Sequence, residues 1–313
     1  MPPIFFDLED NSGFFSTFFF LLLTYAHLRK MGLLLCIKDD KWKFLHEKGF
    51  DDYFVLDNRY IIKYNDYLKD VGNITDTLYF YHHSEVPGTS HTLNEYKLYS
   101  RELYHIKPDI IDSFNLDVLP EKYNSIFIRG GDKLLSESTE NDISLYIKLL
   151  LQKLDENSDV RRTEEFRKDA ENVVEASDNN CNTTNLFVHS DDNLLVEEVE
   201  KYIKDNNMDL KIFKITDQTS NGGTVTTKYY NYGNCKDILC VDDMTNEQKK
   251  THTLLMLKAI EIMRKSQNVI CSFDTNVSRF MKINFDCNVC SINRSNDINF
   301  DIPAPNPAYN LCF

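Results

Sequence analysis

From Ile126 to Arg279 short apolar runs alternate with helical stretches, and this alternation constrains the fold more than any other feature. Ile126–Ile128, Leu186–His189, Leu210–Ile215 and Val269–Phe273 read as strands. Ile143–Leu154, Leu194–Asp205 and Thr251–Arg264 carry apolar residues at helical spacing. Such a pattern predicts a parallel sheet with right-handed crossovers. Ligands of open α/β sheets bind beyond the carboxyl ends of the strands. Two of these ends carry anion-binding chemistry: Arg129-Gly130-Gly131-Asp132-Lys133 after the first strand, and Thr275-Asn276-Val277-Ser278-Arg279 behind the last. Together they point to one phosphate-bearing ligand held from two sides.

The first part of the chain is less regular. Leu33–Ile37, Tyr53–Leu56 and Thr77–Tyr81 read as strands, and Leu93–Ile106 as a helix stopped before Lys107-Pro108. Phe14–Tyr25 (FFSTFFFLLLTY) resembles a membrane segment but falls short of the roughly 20 residues a spanning helix needs. No basic region precedes it, as a signal peptide requires. It reads as a core helix that begins after Gly13, at a tight turn, and stops at Gly32. The division expected is residues 1–119, 120–285 and a tail, 286–313. Asp155–Asn182 reads as a charged insertion, and Thr216–Asp243 as a long polar loop.

Composition excludes some classes. With 49 acidic against 35 basic residues and a net charge of −14, no basic stripe for nucleic acid is present. The eight cysteines are irregularly spaced, as suits reduced thiols in a soluble cytoplasmic protein. Cys287 and Cys290 form a lone CxxC without the second pair that zinc requires.

Single residues leave alternatives. The Arg129 guanidinium fits phosphate oxygens bidentately, and the glycines after it allow close approach of backbone N–H groups. Its alternative is an ion pair with Asp132. The glycines match neither GxGxxG nor a P-loop. Glu137 falls in the first turn of an expected helix, where a carboxylate with Lys133 nearby can act as a base toward a sugar hydroxyl. An exposed salt bridge is the alternative. Ser190-Asp191-Asp192 has no D-x-D spacing, and a helix N-cap at Ser190 or Asp191 is the simpler reading.

Three segments, in order, resemble the motifs of the core α1,6-fucosyltransferases. IFIRGGDKLLSE (126–137) resembles a strand carrying H-x-R-R-x-D-K-x-x-x-E. NLFVHSDD (185–192) resembles a strand ending in T-D-D. QNVICSFDTNVSR (267–279) resembles a strand with C-T-F followed by S-S-Q-V-C-R. Protein O-fucosyltransferases and bacterial nodulation fucosyltransferases share the layout more distantly. The resemblance covers roughly residues 120–282, with the Gly13-Phe14 turn similar in outline.

This resemblance implies an α/β, GT-B-like fold of two Rossmann-like domains facing across a cleft. The N-terminal one would serve the acceptor, and the C-terminal one the nucleotide sugar. It implies an inverting, metal-independent transfer of L-fucose from GDP-fucose to a glycan or glycoconjugate hydroxyl, with no cofactor; the charge balance and the short apolar run lead to the expectation of no nucleic-acid partner and no membrane span. Arg129 would clamp the diphosphate, with Thr275 and Asn276 on its other side and Gly13 and Asp191 also lining the donor. Asp132 and Lys133 would position donor and leaving group, and Glu137 would be the base. The chain departs from the motifs at Phe127 (His in the family), Gly130 (the second Arg), Ala259 (Asp) and Asp274 (Ser). The His and Asp serve nucleotide recognition there, so guanine specificity is less secured than phosphate binding. Two alternatives stand: a GT-B transferase with another sugar nucleotide, and a non-catalytic sugar-nucleotide or glycan-binding relative. Retention of Lys133 and Glu137 argues against the second.

Overall fold

Ile4–Asp7 (β1), Leu35–Lys38 (β2), Ile61–Lys63 (β3) and Phe80–Tyr81 (β4) form a parallel sheet in the order β3-β2-β1-β4. The computed structural model describes residues 4–9, 13–71, 80–81, 92–130, 142–169, 183–215, 224–225 and 239–293. The crossover from β1 to β2 is the aromatic helix α1 (Phe14–Met31). Gly32, at φ 67°, ends it in the left-handed conformation that glycine adopts without steric penalty. Gly32 N–H donates to Arg29 O, and Leu33 N–H to Leu28 O, closing the last turn. Gly13, by contrast, caps α1 in an extended conformation with φ −67°. Nearly every side of α1 is buried, which explains its uniform apolarity. Among the described residues no helix is long and apolar enough to cross a membrane.

Tyr53–Leu56 is not a strand. A 3₁₀ turn at Gly49–Asp52 leads into Tyr53, and Phe54 makes only an isolated antiparallel bridge with Ile106. The cause is local. The Asp52 carboxylate accepts backbone N–H bonds from His46, Glu47, Lys48 and Gly49 and fixes the turn, and the Tyr53 and Phe54 N–H groups both donate back to Phe50 O instead of to a ladder partner. Helix α2 (Tyr64–Val71) follows β3. Helix α3 (Leu93–Leu103) starts in a Thr92–Glu95 capping box. Pro108 opens α4 (Pro108–Ser113) at its first position.

The second sheet contains Asn124–Ile128 (β5), Thr184–Ser190 (β6), Leu210–Phe213 (β7), Asn268–Cys271 (β10) and Asn288–Ser291 (β11). All pairs are parallel, in the order β11-β10-β5-β6-β7. Its edge strand β11 begins within the Cys287–Cys290 segment. Two short strands, Thr224–Val225 (β8) and Leu239–Cys240 (β9), pair within the stretch expected to be a loop.

Side-chain alternation along these strands gives the sheet two apolar faces. Ile126, Ile128, Val188 and Ile270 pack against α5 (Ile143–Asp169) and α6 (Asn193–Asp205). Phe127, Phe187, Val269 and Cys271 face the side of α7 (Asn246–Arg264) and α8 (Asn276–Asn284). That second core is continuous with the N-terminal half. Phe280 of α8 lies 4.7 Å from Phe15, 5.4 Å from Phe18 and 4.8 Å from Tyr104, ring centre to ring centre.

Candidate functional site

Sheet order places β5 between β10 and β6, so the ends of the three motif strands are neighbours. Register pairs Ile128 with Ser190 and Ile126 with Ile270. Arg129-Gly130, Asp191-Asp192 and Asp274-Thr275 therefore share one edge of a parallel sheet.

Arg129 forms an ion pair with Asp191. The other Asp191 oxygen accepts the Gly130 N–H at 2.6 Å. One carboxylate thus fixes both the guanidinium and the start of the turn. The α6 cap falls on Asp192, whose Oδ1 accepts from Leu194 N–H at 3.0 Å, rather than on Ser190 or Asp191. Ser190 instead accepts the Asp192 N–H. A Cβ at position 130 would lie 2.5 Å from the Asp192 Cβ. That contact leaves no room for a side chain at position 130. Asp132, Lys133 and Glu137 lie outside the described residues.

At the end of β10, Thr275 caps α8 by accepting from Ser278 N–H at 3.2 Å, and its hydroxyl donates to Ser278 Oγ at 3.0 Å. The Asn276 side chain is oriented from both ends. Its Oδ1 accepts from Arg279, and its Nδ2 donates to Ser16 Oγ at 3.0 Å. Arg279 also donates to Phe273 O. Ser16 lies in the first turn of α1, which Gly13 opens. The amino-terminal ends of α1 and α8 therefore meet, each carrying the partial positive charge of a helix start. Asp274 is held toward β11 by Asn293 and accepts from Ser272 Oγ at 3.1 Å.

The two departures tied to nucleotide recognition are buried. Phe127 is 4% exposed and Ala259 fully buried, both inside the core. Two histidines that the sequence reading left without a role stand near Arg129 instead. His189 pairs in register with Phe127, and their rings stack at 6.0 Å. Burial pushes the His189 pKa down to about 4, against the pull of Asp191 and with a small push from His252. The His252 pKa is also lowered by burial, with Asp191 opposing and Arg129 adding. Ser16 was likewise missed, since a lone serine in an apolar helix carries no sequence signal. Among the described residues no group of three or more His, Cys, Asp or Glu is placed to hold a metal ion.

No protein-family model matches the chain, and no curated protein matches its sequence. Solved structures do match. POFUT1 in complex with GDP is 9% identical, with 93% of this chain and 98% of that chain covered at a TM-score of 0.50. The fucosyltransferase NodZ from Bradyrhizobium is 10% identical over 90% of this chain and 93% of its own, at a TM-score of 0.47. A variant of Arabidopsis thaliana FUT1 in complex with GDP is 8% identical over 95% and 71%, also at 0.47. The likeness to POFUT1 runs the length of both chains. The fold is GT-B-like. It consists of two Rossmann-like α/β domains facing across a cleft, as the resemblance implied.

Proposed function

We propose that this protein is an inverting, metal-independent glycosyltransferase that moves L-fucose from GDP-fucose to a glycan hydroxyl. One observation carries the reading: three parallel strand ends bring Arg129 beside the α8 start, where the α1 start also arrives. That is a cradle for a diphosphate. Arg129 meets its oxygens, held in place by Asp191. The Thr275 and Asn276 side chains are engaged in the cap and the α1 contact, so their contribution to phosphate is the backbone N–H groups of the first turn of α8. Fixed donors of this kind stabilise charge developing on a leaving diphosphate, the task a divalent ion performs in other transferases. Asp132 and Lys133 position the donor, and Glu137 takes the acceptor proton as the hydroxyl attacks the anomeric carbon. The GT-B-like fold shared with POFUT1, solved in complex with GDP, supports the guanine donor. Free thiols at Cys36, Cys240, Cys271, Cys287 and Cys290 fit a cytoplasmic setting.

A second reading, a transferase of another sugar nucleotide, is favoured by Phe127 and Ala259 themselves, whose side chains carry no group that can hydrogen-bond a base. Thermal shift separates the two. A ligand at 100 times its Kd adds about 2.7 kcal/mol to stability. GDP and GDP-fucose are expected to raise the melting temperature more than UDP and CMP counterparts, equally with and without EDTA. Larger shifts with UDP sugars select the second reading, and a requirement for a divalent ion overturns metal independence.

A further inference from the structure

Asp274 stands one residue before Thr275, the cap of α8, and brings a carboxylate to the rim of a seat for anions. An aspartate in that position can accept the backbone N–H two residues on, here that of Asn276. Thr275 takes the Ser278 N–H at 3.2 Å, which leaves the Asn276 and Val277 N–H groups of the first turn for a ligand. A carboxylate turned onto the Asn276 N–H would compete with phosphate for the same donor.

Asp274 is turned the other way, toward β11. Its Oδ2 accepts from Ser272 Oγ at 3.1 Å and from Asn293 Nδ2. Asn293 stands two residues past the end of β11, and both ends of its amide are used. Nδ2 also donates to Ser272 Oγ at 2.8 Å, while Oδ1 accepts the Phe273 N–H at 3.2 Å and the Ser291 hydroxyl at 2.6 Å. Donors and acceptors agree around the network: Ser272 gives its proton to Asp274, and Ser291 gives its own to Asn293. Register sets Ser291 opposite Cys271, so β11 delivers the amide to the 272–274 turn. The Asn293 side chain is exposed and fills no space in the core.

We propose that Asn293 is a positioning residue of the phosphate site: it holds Asp274 against β11 and keeps that carboxylate off the start of α8. The proposal rests on the reading of α8 as part of a diphosphate cradle, and it adds a residue that lies outside the three motif segments.

The test is calorimetric titration of the full chain with inorganic pyrophosphate and with GDP, with a melting temperature for each protein. The wild type is compared with Asn293→Ala, Ser272→Ala, Asp274→Asn and the double variant Asn293→Ala, Asp274→Asn. Asn293→Ala is expected to weaken both ligands about tenfold, the worth of one hydrogen bond to a charged group. Ser272→Ala, which removes the other donor to Asp274, weakens them in the same sense but less. Asp274→Asn alone binds at least as tightly as wild type. The double variant returns to within about threefold of wild type, because an uncharged amide competes weakly with phosphate. An Asn293→Ala protein that binds pyrophosphate as tightly as wild type overturns the proposal. So does a double variant as weak as Asn293→Ala alone, which marks Asn293 as a support of the turn and nothing more. If Asn293→Ala does not fold, Ser272→Ala with and without Asp274→Asn makes the same comparison. A wild type that binds neither ligand defeats the reading of the cradle itself; a wild type that binds both, with variants that match it, defeats this proposal alone.

Discussion

The Asp191 carboxylate holds the Arg129 guanidinium with one oxygen and the Gly130 N–H with the other, so β6 sets the position of the charge at the end of β5. Arg129→Ala is expected to lower transfer about 100-fold or more, since one preorganised donor at a developing charge contributes about 3 kcal/mol. The melting temperature should stay nearly unchanged, because the guanidinium stands at the sheet edge. Asp191→Asn keeps an acceptor for Gly130 and loosens the arginine, so its loss should be smaller. A collapsed melting temperature with specific activity intact would make Arg129 a structural residue.

Gly130 is needed for space rather than for an unusual backbone angle. A Cβ there meets the Asp192 Cβ at 2.5 Å and the Leu195 Cδ1 at 3.2 Å. The Asp192 Cβ cannot rotate away, so the 191–192 turn must shift and take the Arg129 partner with it. Gly130→Ala should lower stability by about 1–3 kcal/mol and weaken pyrophosphate binding in parallel. Unaltered urea unfolding and unaltered binding would rule this packing out.

The two halves share one core, so they should unfold together. Phe280 is fully buried among Phe15, Phe18 and Tyr104 of the N-terminal half. Trp42, the single tryptophan, packs in that same half against Phe14 and Phe44 and reports on it by fluorescence. Its transition should coincide with that of far-UV circular dichroism. Phe280→Ala should move both together and cost about 3–5 kcal/mol. Two separated transitions in the wild type would mean independent halves.

What the sequence disclosed follows the range of the forces involved. The course of α1 and its stop at Gly32 were readable because burial and the C-cap are local. So were β5, β6 and β10, whose apolar runs are long enough to show. Ile4–Asp7 and Asn288–Ser291 hold apolar runs of only three and two residues, too little pattern to mark a strand. Tyr53–Leu56 has strand-like residues, yet the Asp52 carboxylate gathers the preceding N–H groups into a turn. At the site, Arg129, Asp191 and Thr275 stood out as polar groups behind apolar strands. The pairing of Arg129 with Asp191 did not, since β5–β6 register creates it. Ser16 and His252 are brought in by helices whose packing no local pattern encodes.

The histidines make stability depend on pH with a definite sign. The His189 pKa falls from about 6.5 in an unfolded chain to about 4 in the fold. Between these values the unfolded chain binds a proton that the folded chain does not. Stability therefore rises with pH across the window and is lost as pH drops from about 6.5 to about 4. His252, also lowered, acts in the same direction. Glu261 and Asp39, raised by burial, act oppositely, losing stability as pH rises above their ordinary values. Comparing wild type with His189→Gln cancels those carboxylates. The difference in unfolding free energy should shrink in favour of the variant as pH falls through the window, and a pH-independent difference would show that His189 is not held neutral.

Glu137→Gln should abolish sugar transfer while sparing donor binding. Inversion places the attacking hydroxyl on the face of the anomeric carbon opposite the diphosphate, and a sugar hydroxyl is too weak an acid to attack well unaided. Glu137 follows Arg129 by eight positions in the sequence, and the proposed mechanism makes it the base for the acceptor. Glutamine keeps the shape and removes the basic oxygen. Turnover should drop by roughly 10²–10⁴, with GDP affinity unchanged by titration. The two measurements also separate classes, because a binding-only relative has no turnover to lose in the wild type. Wild-type transfer by Glu137→Gln would move the base elsewhere, with Asp132 and Asp274 next to be replaced.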